Sequence, residues 1–187
     1  MRQIKTKNIG KITAASIVSI LFLAGMSGVS ACHLDTEIIA GQNWDNPVGN
    51  VHISHDSSWN RYMYITYMTS GGWEITETHL AVASSFNDIP QTKSGNPKIG
   101  KFPYSSHHDP AVTSVTYVID LEDYIKPDSS GKYLGTLYIA AHSVVQKLMG
   151  YDSHGNPIYA EETGWADTYS QPFPGNSWAL WFSIVLG

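Results

Sequence analysis

The chain has 187 residues, a formal charge of −5 at neutral pH and one cysteine, Cys32. A single cysteine excludes an intrachain disulfide, so a core must hold the fold, and this length suits one domain with one core. All sixteen acidic residues follow Cys32, against seven Lys and Arg, so that part carries a formal −9; it repels phosphate backbones, and nucleic acid is not expected as a partner.

Arg2, Lys5, Lys7 and Lys11 precede the uncharged run ITAASIVSILFLAGMSGVSA, the layout of a secretory signal peptide over 1–31. Val29-Ser30-Ala31-Cys32 resembles a lipobox, which would make Cys32 a lipid-bearing N-terminus and the membrane a partner through that lipid. The same small residues suit ordinary signal peptidase, and an uncleaved run of about 20 apolar residues would span a bilayer. Each reading puts the folded part outside the cytoplasm. Residues 32–37 are expected to form a short tether and 38–187 the folded domain.

Alternating β-branched and aromatic residues then dominate, and helical periodicity is nearly absent. Strands are predicted at 48–54, 61–68, 73–83, 113–121, 132–148, 157–165 and 177–185. Gly71 and Gly72 in TSGGW, and Gly155 in DSHGNP, mark turns. Seven strands joined by short turns predict an all-β fold, an antiparallel, jelly-roll-like β-sandwich behind an N-terminal signal helix. Residues 84–110 carry four prolines and read as a long loop, either a crossover between sheets pinned by Ile89, Phe102 and Tyr104, or a binding loop. The last strand is apolar on both faces, which predicts a covered central strand or a docking face.

Several polar groups stand out. In WEITETHLAVA, Glu77 and His79 are two apart and share a strand face, predicted to be that of Trp73, Ile75 and Ala81. His142 in YIAAHSVV and Glu161 in AEETGWAD would join them if the strands are neighbours. Such a set suits a divalent ion such as Zn²⁺ or acid–base work, and equally a hydrogen-bonded structural group. The pairs His107/His108 and His52/His55 read as solvated positions. There is no nucleophile elbow and no phosphate-binding loop. Trp44, Trp59 and Trp73 sit beside turn residues, where exposed indoles would stack on sugar rings; the alternative is that they fill the core.

The blocks WEITETHLAV, DIPQTKSGNPKIGKFPY, YIAAHSVV, EETGWAD and FPGNSWALWF together resemble a group of secreted prokaryotic β-rich domains of unassigned function. This chain departs from that pattern at Gly164, where the group has alanine, and at Trp181-Phe182, where it has Tyr-Phe. The resemblance covers about 73–182 and implies an exported, surface-associated β-domain without naming an activity. The first functional expectation is therefore a cell-surface lipoprotein, a non-catalytic binding or matrix module with a glycan or surface-protein ligand. A metal-dependent hydrolase built on Glu77, His79, His142 and Glu161, and a self-assembling surface subunit, are the alternatives.

Overall fold

A computed structural model describes residues 32–167 and 170–187, so the predicted leader, 1–31, lies outside the described residues. The strands are β1 (Cys32–Ala40), β2 (Gly49–His55), β3 (Tyr62–Thr69), β4 (Trp73–Ala83), β5 (Tyr104–Val112), β6 (Ser114–Asp120), β7 (Gly135–Tyr151), β8 (Pro157–Asp167), β9 (Gln171–Pro172) and β10 (Leu180–Leu186). Single 3-10 turns at Phe86–Asp88, Ile99–Lys101 and Leu121–Asp123 complete the elements.

The fold is all-β. One antiparallel sheet runs β5-β4-β7-β8-β1-β2-β3-β6, and its two end strands follow each other in the chain, so the sheet curls until it nearly closes into a barrel. Side chains bridge the remaining seam. The Tyr67 hydroxyl donates to the His79 carbonyl at 3.1 Å, and Thr78 Oγ1 and the Tyr117 hydroxyl lie 2.7 Å apart. Burial pushes the Tyr67 and Tyr117 phenols up, Tyr67 well above its ordinary range, so both stay neutral hydrogen-bonding groups. Ile53, Ile65, Leu80, Ile119, Leu137 and Val145 lie inside the barrel and are fully buried.

Three strands were not legible as such: β1, β5 and the two-residue β9. Residues 32–37, expected as a tether, are the first part of β1 and pair with β2 from Cys32↔His55 onward. Tyr104–Val112, expected within the long loop, is the edge strand β5 against β4; Pro110 is tolerated there because an edge leaves one side of the backbone unpaired. The rest of the loop is not a crossover between sheets. It folds over the outer face of β4–β7–β8, where Ile89 and Phe102 pack with Ala81, Ala83, Ala140, Trp165 and Phe173 in a second core outside the barrel. The C-terminal strand is covered along one face, where Leu180, Phe182, Ile184 and Leu186 are buried; on the other, Trp181 packs against Phe86 and Tyr138, whereas Val185 is 71% exposed.

A β-bulge sets which side chains reach that outer face. Along β4 the partners in β7 step from Ile75↔Val145 to Glu77↔Val144, leaving Thr76 as the extra residue. The alternation therefore shifts by one. Trp73 and Ile75 pack into the barrel, Leu80 and Val82 continue inside, and Glu77, His79 and Ala81 point outward. The predicted shared face of Trp73, Ile75, Glu77 and His79 is divided at this point. Truncating Ile75 to alanine is expected to cost about 2–5 kcal/mol in chemical denaturation, and Glu77→Ala to stay within about 0.5 kcal/mol. Equal costs at the two positions would contradict the bulge.

Candidate functional site

The outer face of β4, β7 and β8 carries a row of polar and aromatic groups. His79 and His142 are cross-strand partners, and His142 in turn faces Trp165. The imidazole centroids are 5.6 Å apart, and the His142 ring lies 4.8 Å from that of Trp165. Toward the sheet edge, His79 Nε2 meets Glu77 Oε2 at 3.2 Å, and His107 Nδ1 on β5 approaches Glu77 Oε1 at 3.5 Å. The row runs from solvent at His107, 69% exposed, to His142, which is 5% exposed.

Of the four residues expected to converge, Glu77, His79 and His142 are brought into this row and Glu161 is not. Glu161 stands opposite Gln146, four residues along β7 from His142, or roughly 13 Å at about 3.3 Å per residue. The antiparallel register fixes that separation. Among the described residues, no group of three or more His, Cys, Asp or Glu side chains is arranged to hold a metal ion.

His142 forms part of a cavity of about 210 Å³ between the sheet and two segments that lie on it. The long loop supplies Asn96 and Ile99, the C-terminal segment supplies Ser177 and Trp178, and β8 supplies Thr163 and Trp165. Those two segments clasp each other. Asn96 Oδ1 accepts from the Ser177 amide at 3.0 Å, and a Cβ on Gly175 would sit 2.0 Å from that oxygen, so only glycine fits. Gly95, at φ +84°, similarly leaves room for Pro174.

Two buried histidines illustrate different roles. His55 bonds the Asn60 carbonyl at 2.7 Å through Nε2. His142 Nδ1 and His79 Nδ1 are buried without a hydrogen-bond partner among the described residues. Burial, assisted by the neighbouring His79, lowers the His142 pKa to about 4 and outweighs the opposing pull of Glu77. His142 is therefore a neutral imidazole at neutral pH, able to offer one N–H and one lone pair.

The three tryptophans do not form one platform. Trp73 lines a second cavity, of about 230 Å³, at the barrel end where β1 runs into β2; Asn43, Asn46 and Glu162 lie around it. Trp44, 49% exposed, stands in the β1–β2 connection and meets the Trp178 ring edge-on at 6.5 Å. Trp59 is at the opposite end, in the β2–β3 connection, with Lys132 Nζ 5.0 Å from its ring centroid. Sequence reasoning did not single out Asn43, Asn46, Asn96, Thr163 or Ser177. The only signal for Asn96 and Ser177 is a pair of Gly-Asn turns, SGNP and PGNS, whose meeting in space no local pattern specifies. Compared with protein-family models, curated proteins and solved structures, the chain matches none of them.

Because the unfolded chain holds a proton on residue 142 up to about pH 6.5 and the folded chain only up to about pH 4, the unfolded state binds more protons between these values. The stability owed to neutral His142 is complete above pH 6.5 and declines as pH falls toward 4, by on the order of 3 kcal/mol. Denaturation series from pH 7 to pH 4 should show this slope, and His142→Gln should flatten it. An unchanged slope would assign acid sensitivity to other groups.

Proposed function

We propose that the chain is an exported, non-catalytic surface module, anchored by lipid on Cys32, that binds a sugar ring in the cavity beside His142. The observation that carries the ligand reading is that cavity: a neutral, buried imidazole together with the part-exposed Trp178 indole, a carboxamide and two hydroxyl side chains, over the buried Trp165 ring. Indole faces suit the apolar face of a sugar ring, and the neutral polar groups suit its hydroxyls. Among the described residues, neither this cavity nor the one at the barrel end is lined by Lys or Arg, which favours an uncharged ligand over a phosphate or carboxylate.

The anchor reading rests on the basic n-region, the apolar run and the small residues before Cys32, and the resemblance to secreted prokaryotic domains supports the same destination. It is compatible with the position of Cys32 in the fold. Cys32 starts β1 at the Trp59 end, whereas Trp73 and Trp44 stand beyond the other end of that strand, roughly 25 Å away at about 3.3 Å per residue. A lipid on Cys32 would turn the ligand end away from the membrane. The jelly-roll-like sandwich is the finer reading of the fold: a flattened barrel whose β4–β7–β8 wall faces its β2–β3–β6 wall.

Tryptophan fluorescence titrated with a panel of neutral mono- and oligosaccharides should respond to at least one member. Trp178→Ala should weaken that response about 10-fold or more while leaving the melting temperature within a few degrees. A flat response across the panel would remove the glycan reading. Separately, Cys32→Ser should abolish acylation and release the protein from membranes into the medium; retention on membranes would reject the lipid anchor.

A further inference from the structure

The two cavities lie on opposite sides of the same short stretch of backbone. Glu162 lines the barrel-end cavity and Thr163, the next residue, lines the His142 cavity. Their side chains diverge because consecutive strand residues face opposite ways. On the adjoining connection the same division recurs: Asn43 lines the barrel-end cavity, and its neighbour Trp44 touches Trp178 of the His142 cavity. The Gly41 amide donates to the Thr163 carbonyl at 3.0 Å and holds these two pieces of chain together. Beyond that bond β1 no longer accompanies β8, because their pairing ends at Ala40↔Gly164. The wall between the cavities is thus one strand edge and one turn, crowned by the half-exposed indole of Trp44.

The barrel-end cavity has its own recognition chemistry. Among the described residues, the side chains of Asn43, Asn46 and Glu162 make no hydrogen bond or ion pair, so their amide and carboxylate groups are available to a ligand. Gly41, at φ +57°, keeps this arrangement: a Cβ there would lie 2.7 Å from Glu162 Oε2 and displace the carboxylate. With the Trp73 indole beside them, two carboxamides and a carboxylate form a second set suited to hydroxyl groups.

We infer that the barrel-end cavity is a second subsite for the same ligand, so that the protein binds an uncharged oligosaccharide rather than a single sugar. The chain of sugars would run from the His142 cavity, across the Trp44 and Trp178 rings, to Asn43, Asn46 and Glu162. This rests on the glycan reading of the His142 cavity and extends it to the length of the ligand. Two subsites on one ligand act through effective concentration, so affinity should climb with chain length until both are filled and then level off.

The test uses isothermal titration of the mature protein with gluco-, xylo-, manno- and N-acetylglucosamine oligomers, each from the monosaccharide to the hexasaccharide. In the series that binds, affinity should rise by about 10-fold or more from the shortest to the longest member. Glu162→Gln combined with Asn43→Ala should erase that rise, so that the longest member binds no more tightly than the shortest. Trp44→Ala, a substitution on an exposed turn, should reduce the affinity of the long oligomers alone. Monosaccharide and hexasaccharide binding equally well, or a rise that survives all these substitutions, would overturn the second subsite and leave the His142 site standing. Absence of binding across every series would overturn both, and circular dichroism melts of each variant would separate this from unfolding.

Discussion

The arrangement of this protein depends on one extra residue in one strand. Were Thr76 paired in regular register instead of bulged out, residues 75, 77 and 79 would share one face, and either Ile75 would leave the core or Glu77 and His79 would enter it. Burying Glu77 would require a desolvated charge, costing several kcal/mol without a close partner. Exposing Ile75 would forfeit about 1.5–3 kcal/mol of burial. The bulge avoids both, and Thr76 Oγ1 reaches the Val144 carbonyl at 3.3 Å beside it. From there on the inside of β4 reads Thr78, Leu80, Val82 and its outside reads Glu77, His79, Ala81, Ala83. The small outward residues matter as much as the polar ones. Ala81, Ala83 and Ala140 leave a low apolar surface on which Ile89, Phe102 and Phe173 can settle, and that second core carries the two segments that enclose His142.

Sequence periodicity was sufficient for the β class, for most strand positions and for which residues of β7 share a face, because burial between sheet faces leaves an alternating trace. It failed where alternation was interrupted or masked. The bulge at Thr76 cannot be seen in WEITETHLAVA, since an unbroken strand gives an equally regular pattern. β5 was hidden by SSHHDP, whose polar residues suit an exposed edge and whose proline reads as a break. Residues 32–37, CHLDTE, alternate between intermediate and exposed as far as the buried Thr36, and Cys32 and Leu34 are their only apolar residues, so they resembled a tether. Closure into a barrel is a property of pairing between β5/β4 and β6/β3 across long separations, and no window of residues contains it.

The candidate site was legible in the same partial way. Glu77, His79 and His142 could be linked because their faces were predictable and β4 and β7 are neighbours. Glu161 could not be excluded without the register, which offsets it by four residues. The cavities themselves were invisible beforehand. Each is assembled from segments that meet only after the sheet has curled: the loop at Asn96 with the turn at Ser177 in one case, and the β1–β2 connection with Glu162 in the other.

Energetics distinguishes the two most buried histidines and bears on the proposed role of one of them. His55, 1% exposed, has a strong bond to a backbone carbonyl, and that bond offsets its desolvation. Among the described residues His142 lacks such an offset at Nδ1, and an unsatisfied buried polar atom costs about 1–3 kcal/mol. An apolar residue of similar size at 142 would pack against Ala140 and Trp165 and avoid that cost. A fold shaped by stability alone has no use for an imidazole in this wall, whereas a binding cavity gains from a polar group that is rigidly packed and neutral. His79 extends the same logic to the cavity's neighbour: its Nε2 is engaged by Glu77, its Nδ1 is unpaired, and its proximity opposes a charge on His142. Burial in this wall and the neighbouring His79, against the weaker pull of Glu77, hold His142 in the uncharged state, which suits hydroxyl groups better than anions as partners.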